Sequence, residues 1–542
     1  MQDRPFIEVR GLTITAGRDR RQIVRDVSFT AEKGEVVALI GESGSGKSTI
    51  ALSLMGYARP GCTIAGGTIR VAGQDVRALD AAGLRRFRGK TVSYVAQSAA
   101  AAFNPGWRIR SQIVEAATLH GTMGKAEAAG REAALMETLA LPDPAQIGAR
   151  YPHQVSGGQL QRMMAAMAMI NAPEVIIFDE PTTALDVTTQ VEVLRAFKAM
   201  VKEQGVTAIY VSHDLGVVAQ MADRILVLKD GEVMENAEAG ELLERPRAAF
   251  TKGLLEASRP RRLELPEAPA DAPPVLEVQG ITAGYGGTGP DGLPLYPVLH
   301  DIGFSIPRGR TLGLIGESGS GKSTLGRVLA GLVPAAKGSA LINGRELDLR
   351  DAARRRRQDR RELQIVFQMA DTALNPRQSV AEILGRPLGF YHGLRGQART
   401  GRVAELLDMV RLPRHLAQAG PRALSGGQKQ RVNLARTLAA EPALVICDEV
   451  TSALDTVVAN AVVELLVELQ RELGLSYLFI SHDLGKVEAM CSEVMVLWKG
   501  REVERAARDS LTRDPQHPYT KELVRAVPQL RRGWLEEVTA HG

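Results

Sequence analysis

The nine residues GESGSGKST stand in this chain twice, at Gly41 to Thr49 and again at Gly316 to Thr324. The repetition continues along the sequence. YVAQ, ending at Gln97, is answered by IVFQ, ending at Gln368, and VSGGQLQR (Val155 to Arg162) by LSGGQKQR (Leu424 to Arg431). IIFDEPTTALD (Ile176 to Asp186) is answered by VICDEVTSALD (Val445 to Asp455), and VSHDLG at Val211 by ISHDLG at Ile480. The offset is 275 from Lys47 to Lys322 and 271 from Gln97 to Gln368, then settles at 269 from Ser156 to Ser425, Asp179 to Asp448 and His213 to His482. A duplicated domain with a few loop deletions accounts for this pattern, and 542 residues suit two domains. The segment between the copies, Ser258 to Pro274, is rich in proline and charge and reads as a semi-extended linker. The halves are therefore placed at 1–257 and 275–542.

Within each half, short β-branched runs alternate with helical patterns, which predicts an α/β fold built on a mainly parallel sheet. VVALI (Val36 to Ile40) and TLGLI (Thr311 to Ile315) lead into the glycine loops. VIIF and LVIC lead into the acidic pairs, and AIYVS and YLFIS into the histidines. Each motif thus falls at the carboxyl end of a strand, where ligands of open α/β sheets bind.

Composition excludes several classes. The longest apolar run, Met163 to Ile170, is far shorter than the ~20 residues of a membrane-spanning helix. The first ten residues lack the apolar core of an export signal. Cys62, Cys447 and Cys491 show no metal-ligand spacing and read as reduced thiols of a cytosolic protein. A net charge of +5 is mild, so no nucleic-acid partner is expected. The densest basic cluster, Ala353 to Arg361, has no interleaved aromatics and reads as an exposed face ahead of a strand.

The pattern GxxxxGK[ST] between a strand and a helix lets glycine-rich backbone approach a polyphosphate, with amide N–H groups and the helix N-terminus facing the anion. The candidate cradle is Gly41, Ser43, Gly44, Gly46, Lys47, Ser48 and Thr49 in the first copy, and Gly316, Ser318, Gly319, Gly321, Lys322, Ser323 and Thr324 in the second. Lys47 and Lys322 reach for the β and γ phosphates, and Ser48 and Ser323 for Mg²⁺. Asp179 and Asp448 close apolar strands and are assigned to Mg²⁺; strand alternation sends Glu180 and Glu449 the other way, to position and deprotonate the attacking water. His213 and His482, each 34 residues after the metal aspartate, are expected on the γ-phosphate.

These motifs together resemble the nucleotide-binding subunits of ATP-binding cassette (ABC) transporters over nearly the whole chain, with SGGQ the feature that separates this family from other P-loop ATPases. The resemblance implies that each half pairs a mainly parallel sheet core with an antiparallel β subdomain and a helical signature subdomain. It implies ATP and Mg²⁺ as cofactors, Gln97 and Gln368 as Mg²⁺ ligands close to the attacking water, and two composite sites made by intramolecular pairing. In them Ser425, Gly426, Gly427 and Gln428 close the ATP held by the first loop, and Ser156, Gly157, Gly158 and Gln159 that held by the second. The family usually stacks an aromatic on adenine. Tyr285 fills that place in the second half, whereas the first has Ala16, with Arg18 nearby as a substitute.

AAFNP (Ala101 to Pro105), TALNP (Thr372 to Pro376) and HPYTKEL (His517 to Leu523), with its worn copy AAFTKGL (Ala248 to Leu254), resemble the peptide/opine/nickel importer subfamily. A fused pair of this kind looks most like the ATP-binding subunits for glutathione-type and microcin-type peptide uptake. Two separate membrane permeases and, indirectly, an extracytoplasmic solute-binding protein are then implied, with the chain peripheral on the cytoplasmic face of the bacterial inner membrane. The alternative is a soluble tandem-cassette ATPase acting on the ribosome or nucleic acid; such factors usually carry a long helical linker, which this chain lacks.

Overall fold

A computed structural model describes residues 5–266 and 272–540 apart from Ala184 and Ala453, so part of the linker, 267–271, lies outside the described residues. The chain divides into two compact units, Met1–Arg259 with Pro528–Gly542, and Pro260–Val527.

In the first unit an antiparallel sheet is built from β1 (Ile7–Ala16), β2 (Arg21–Ala31), β4 (Cys62–Val71) and β5 (Gln74–Asp75), in the order β2-β1-β4-β5. The second sheet is made of β3 (Val36–Gly41), β6 (Val92–Val95), β7 (Val175–Asp179), β8 (Thr207–Val211), β9 (Arg224–Lys229) and β10 (Glu232–Glu238), in the order β10-β9-β3-β8-β7-β6. Its pairs are parallel except β9 with β10. Strands β3, β7 and β8 are buried at every residue, as continuous β-branched runs in a sheet covered on both faces must be. One apolar core joins the sheets, with Ile7, Leu12 and Val24 of the antiparallel sheet meeting Leu39, Ile177 and Ile209 of the parallel one. Helix α1 (Lys47–Ser53) follows β3 directly. Helices between 99 and 138, the longest Lys125–Thr138, lead to α2 (Gly157–Met169), and α3 (Val187–Gln204) and α4 (Leu215–Met221) flank β8.

The second unit repeats the plan. An antiparallel sheet of β11 (Pro274–Thr288), β12 (Pro294–Pro307), β14 (Ala335–Ile342) and β15 (Arg345–Glu346) runs β12-β11-β14-β15. A second sheet of β13 (Thr311–Ile315), β16 (Leu363–Val366), β17 (Leu444–Asp448), β18 (Ser476–Ile480), β19 (Glu493–Trp498) and β20 (Arg501–Ala507) runs β16-β17-β18-β13-β19-β20. Helix α5 (Lys322–Ala330) follows β13, α6 (Gly426–Leu438) precedes β17, and α7 (Thr456–Leu473) and α8 (Leu484–Met490) flank β18.

Two features depart from the sequence reading. The arginine cluster 354–361 is not merely an exposed face: Arg355 is buried and donates to the carbonyls of Leu329 (2.6 Å), Val328 (3.2 Å) and Asp348 (2.7 Å). Carbonyls at a helix C-terminus lack partners within the helix, and a guanidinium supplies donors to those of α5; Arg88 serves the carbonyls of Met55 and Gly56 after α1 in the same way. The C-terminal residues also do not stay with the second copy. Residues from Pro528 on, including α9 (Trp534–Ala540), pack into the first unit, where Gln220 of α4 donates to the carbonyls of Gln529 (2.9 Å) and Arg531 (2.8 Å) and accepts from Leu535 N (3.1 Å). Lys198 of α3 bonds Glu536 at 2.7 Å, and Trp534 is 1% exposed. In the second unit the tail of the first copy takes the corresponding place: Leu263 N donates to the carbonyl of Ala489 on α8, the repeat of Gln220, and Arg471 of α7 holds the carbonyl of Glu264.

Candidate active site

Each glycine loop is held to its sheet so closely that only glycine fits at its first position. Gly41 has φ +147, and a Cβ there would lie 2.0 Å from the carbonyl oxygen of Leu228; at Gly316 (φ +148) it would lie 2.1 Å from that of Leu497. The loop lysines are buried at its centre. Lys47 Nζ donates to the carbonyls of Gly41 and Glu42, each at 2.8 Å, and Lys322 Nζ to those of Gly316 and Glu317, each at 2.7 Å. Ser48 and Thr49 open α1, and Ser323 and Thr324 open α5, directly behind Gly46 (φ +96) and Gly321 (φ +105).

Opposite the loop, Ser48 Oγ donates to Asp179 Oδ1 at 2.7 Å, and Ser323 Oγ to Asp448 Oδ1 at 2.8 Å. Hydroxyl and carboxylate oxygens are the hard donors that Mg²⁺ takes, and it commonly uses one or two carboxylates with substrate phosphates and water. The pair therefore fits that ion. Burial holds the Asp448 carboxyl above its usual range, against the opposing bond from Ser323.

The glutamates are set apart from the aspartates by a turn. The strands end at Asp179 and Asp448, and Glu180 and Glu449 take φ +49 and +50 rather than continuing the strand alternation expected from sequence. Their main-chain N–H groups donate to the carbonyls of Val211 (2.9 Å) and Ile480 (3.0 Å), which fixes the turn. A non-glycine residue in this region costs about 1–2 kcal/mol. The same turn brings each side chain between a glutamine and a histidine. Gln97 Nε2 donates to Glu180 Oε2 at 3.0 Å, and His213 Nδ1 lies 3.4 Å from Oε1; in the second half the distances are 2.5 Å for Gln368 and 3.5 Å for His482. Burial works against the Glu180 charge, but the His213 bond and charge, with Lys47, outweigh it and hold the carboxyl below its usual range. Glu449 behaves alike with His482 and Lys322, and both histidines are raised by their glutamates despite burial. A carboxylate kept ionised is what a base for water requires.

Ser156 and Ser425 are N-caps of α2 and α6. Each serine Oγ accepts from the amide of Gln159 or Gln428, and each glutamine side chain accepts from the serine amide, leaving Ser156, Gly157, Ser425 and Gly426 exposed at the helix starts. The second glycine of each pair lies against the next helix. A Cβ on Gly158 would stand 2.1 Å from Thr189 Cγ2, and one on Gly427 2.5 Å from Val458 Cγ1. Tyr285 is half exposed with its hydroxyl 3.3 Å from Thr324 Oγ1; in the first half Ala16 ends β1 and Arg18 sits in an exposed turn.

Two residues absent from the motif reading face the Asp179 carboxylate. Tyr94 OH donates to Asp179 Oδ2 at 2.8 Å, and Arg59 lies 3.9 Å from the same oxygen. Position 365, which matches Tyr94 at the 271 offset, is Ile. The glycine loops, Gln97 and Gln368, the signature helix starts and the acidic pairs all fall inside two segments, 24–183 and 299–452, that match the sequence profile of the family described as "ABC transporter". The chain belongs to the ABC transporter family. Residues 503–542 match a second profile, "Oligopeptide/dipeptide transporter, C-terminal region". Relatives include the glutathione import ATP-binding protein GsiA of Salmonella typhimurium strain LT2, 37% identical over 97% of this chain and 90% of that protein. The protein of that name from Escherichia coli strain K12 is 37% identical over 96% of this chain and 89% of its own length. As an ABC transporter ATPase, the chain binds ATP with Mg²⁺ and hydrolyses it.

Proposed function

We propose that this chain drives an importer of peptides or related small solutes, with both halves hydrolysing ATP. The observation that carries the reading is the same constellation built twice: a buried loop lysine, a serine bonded to an aspartate, and a glutamate held between a glutamine and a histidine. The loop amides and helix starts bind the phosphates, and Lys47 or Lys322 leaves its carbonyl partners for them. Ser48 and Asp179, or Ser323 and Asp448, would hold Mg²⁺, which would supply neutralisation of phosphate charge, while Gln97 or Gln368 holds the neighbouring glutamate. Glu180 or Glu449 orients the attacking water and takes its proton, while His213 or His482 faces the γ-phosphate.

In this reading the signature serines and glycines, exposed at the starts of α2 and α6, close the ATP held by the opposite half. Binding and hydrolysis then alternate closure and release, the motion that a transporter uses. Among the described residues no helix is long and apolar enough to cross a membrane, so translocation falls to two separate permeases fed by an extracytoplasmic binding protein. The chain sits at the cytoplasmic face of the inner membrane. Peptide-type cargo is favoured by the match of 503–542 and by the glutathione import relatives.

The test is ATPase activity of the purified chain, alone and in membranes with peptide-type permeases and their binding protein. Stimulation by permeases and loaded binding protein is expected. Activity indifferent to them but raised by ribosomes or nucleic acid would overturn the importer reading.

A further inference from the structure

The HPYTKEL segment has a place in the resemblance but no task in the chemistry above, and its tyrosine ends at the second phosphate loop. The main-chain N–H of Glu317, second residue of GESGSGKST, donates to the Tyr519 hydroxyl at 2.7 Å. Tyr519 is 5% exposed and stacks on Trp498, the last residue of β19, with ring centroids 5.5 Å apart. Its backbone is anchored independently. Glu504 of β20 accepts from the amides of Gln516 (2.8 Å) and His517 (3.0 Å), and His517 Nδ1 accepts from Tyr519 N at 3.2 Å.

The first half supplies an internal comparison, because the same bracket is present without the hydroxyl. Glu235 accepts from the amides of Arg247 (2.8 Å) and Ala248 (3.0 Å), as Glu504 does 269 residues later. The following aromatic is Phe250, packed under Lys229 instead of a tryptophan. Phe250 has the ring of Tyr519 and lacks only the atom that reaches the loop.

We propose that Tyr519 is a positioning residue for ATP binding at the second site: its hydroxyl fixes the first turn of the loop in the shape that receives the phosphates. The two sites are therefore unequal in how far their loops are pre-shaped. The proposal rests on the reading that Gly316–Thr324 receives ATP. Glu317 N sits between the carbonyls of Gly316 and Glu317, the two that Lys322 holds. A loop pinned there pays less ordering cost when the lysine turns to the ligand, so the effect falls on affinity and not on the bond-breaking step.

The experiment uses the full chain carrying Lys47→Ala, so that the second loop is read alone, titrated with the fluorescent nucleotide TNP-ATP. Adding Tyr519→Phe, which keeps the ring and its stacking, is expected to raise Kd about fivefold, the worth of one neutral hydrogen bond, at unchanged stoichiometry. In the otherwise native chain the same substitution raises KM and leaves kcat unchanged, whereas a merely structural role would lower kcat and the fraction of active protein. Adding Lys322→Ala abolishes binding. If Lys322→Ala abolishes binding but Tyr519→Phe leaves Kd within twofold, the role of the hydroxyl is overturned. If Lys322→Ala binds as before, the reading of the loop itself fails.

Discussion

Alanine at Gly41 should damage the first half far more than alanine at Gly44, three residues along the same loop. At Gly41 the new Cβ would meet the Leu228 carbonyl oxygen at 2.0 Å and Ser45 Oγ at 2.9 Å, with φ at +147. Leu228 lies opposite Gly41 in the parallel pairing of β3 with β9, so its carbonyl cannot withdraw without opening the sheet. Real Cβ atoms stay beyond 3.0 Å, so the loop itself must shift by about 1 Å. Backbone strain of about 1–3 kcal/mol and overpacking of about 1–3 kcal/mol together cost roughly 2–6 kcal/mol. Gly44 has φ +84 and nothing within 4 Å of its Cβ position, so alanine there costs only the conformational strain of about 1–2 kcal/mol. Equilibrium urea unfolding compares the two variants directly. Binding of MgATP adds a second reading, because Lys47 Nζ rests on the Gly41 carbonyl at 2.8 Å and a 1 Å shift misplaces it. Gly41→Ala is then expected to bind at the first loop no better than Lys47→Ala. Unfolding free energies of the two glycine variants within about 0.5 kcal/mol of each other would refute the argument.

Three further outcomes follow from other contacts. Tyr94→Phe removes the donor to Asp179 Oδ2; Mn²⁺–ATP binding at the first site, followed by electron paramagnetic resonance, should weaken about 10–100-fold, with the second site, which has Ile365, unaffected. Trp534→Ala empties a buried position of the C-terminal tail and should cost the first unit about 3–5 kcal/mol, read by urea unfolding and by faster amide exchange around Gln220. Glu132 is buried against Arg110 and its carboxyl is raised by that burial, so its contribution to stability is fully present below the unfolded-chain carboxyl pKa and is lost as pH rises through the folded value; Glu132→Gln should flatten this dependence in thermal melts across the acid range.

Repetition made the candidate site legible. A single glycine loop or a single histidine says little, but loops, acidic pairs and histidines recurring at one offset mark the places where a sheet presents residues to a ligand, and each was found at the end of its strand. Local patterns missed what depends on the third dimension. Tyr94 and Asp179 are 85 residues apart, and only the parallel pairing of β6 with β7 makes them neighbours. Arg355 looked like one of six surface arginines because sequence does not say which of them faces a helix end. The tail from Pro528 read as the end of the second copy, since nothing local to it marks Gln220 as its partner. The left-handed turn at Glu180 and Glu449 was hidden for another reason: glutamate is a residue from which a positive φ is not expected, and the strain is held by the main-chain bonds to Val211 and Ile480.

In the proposed motor Glu180 and Glu449 are the two bases that activate water. This role is tested most directly by steady-state ATPase assay of the full chain with its permeases, comparing native protein with the Glu180→Gln, Glu449→Gln double variant while MgATP binding is measured in parallel. Binding is expected to be retained and kcat to fall by about 10²–10⁴-fold, the usual contribution of a positioned base. A double variant that binds MgATP and still hydrolyses it at more than a tenth of the native rate would contradict this role.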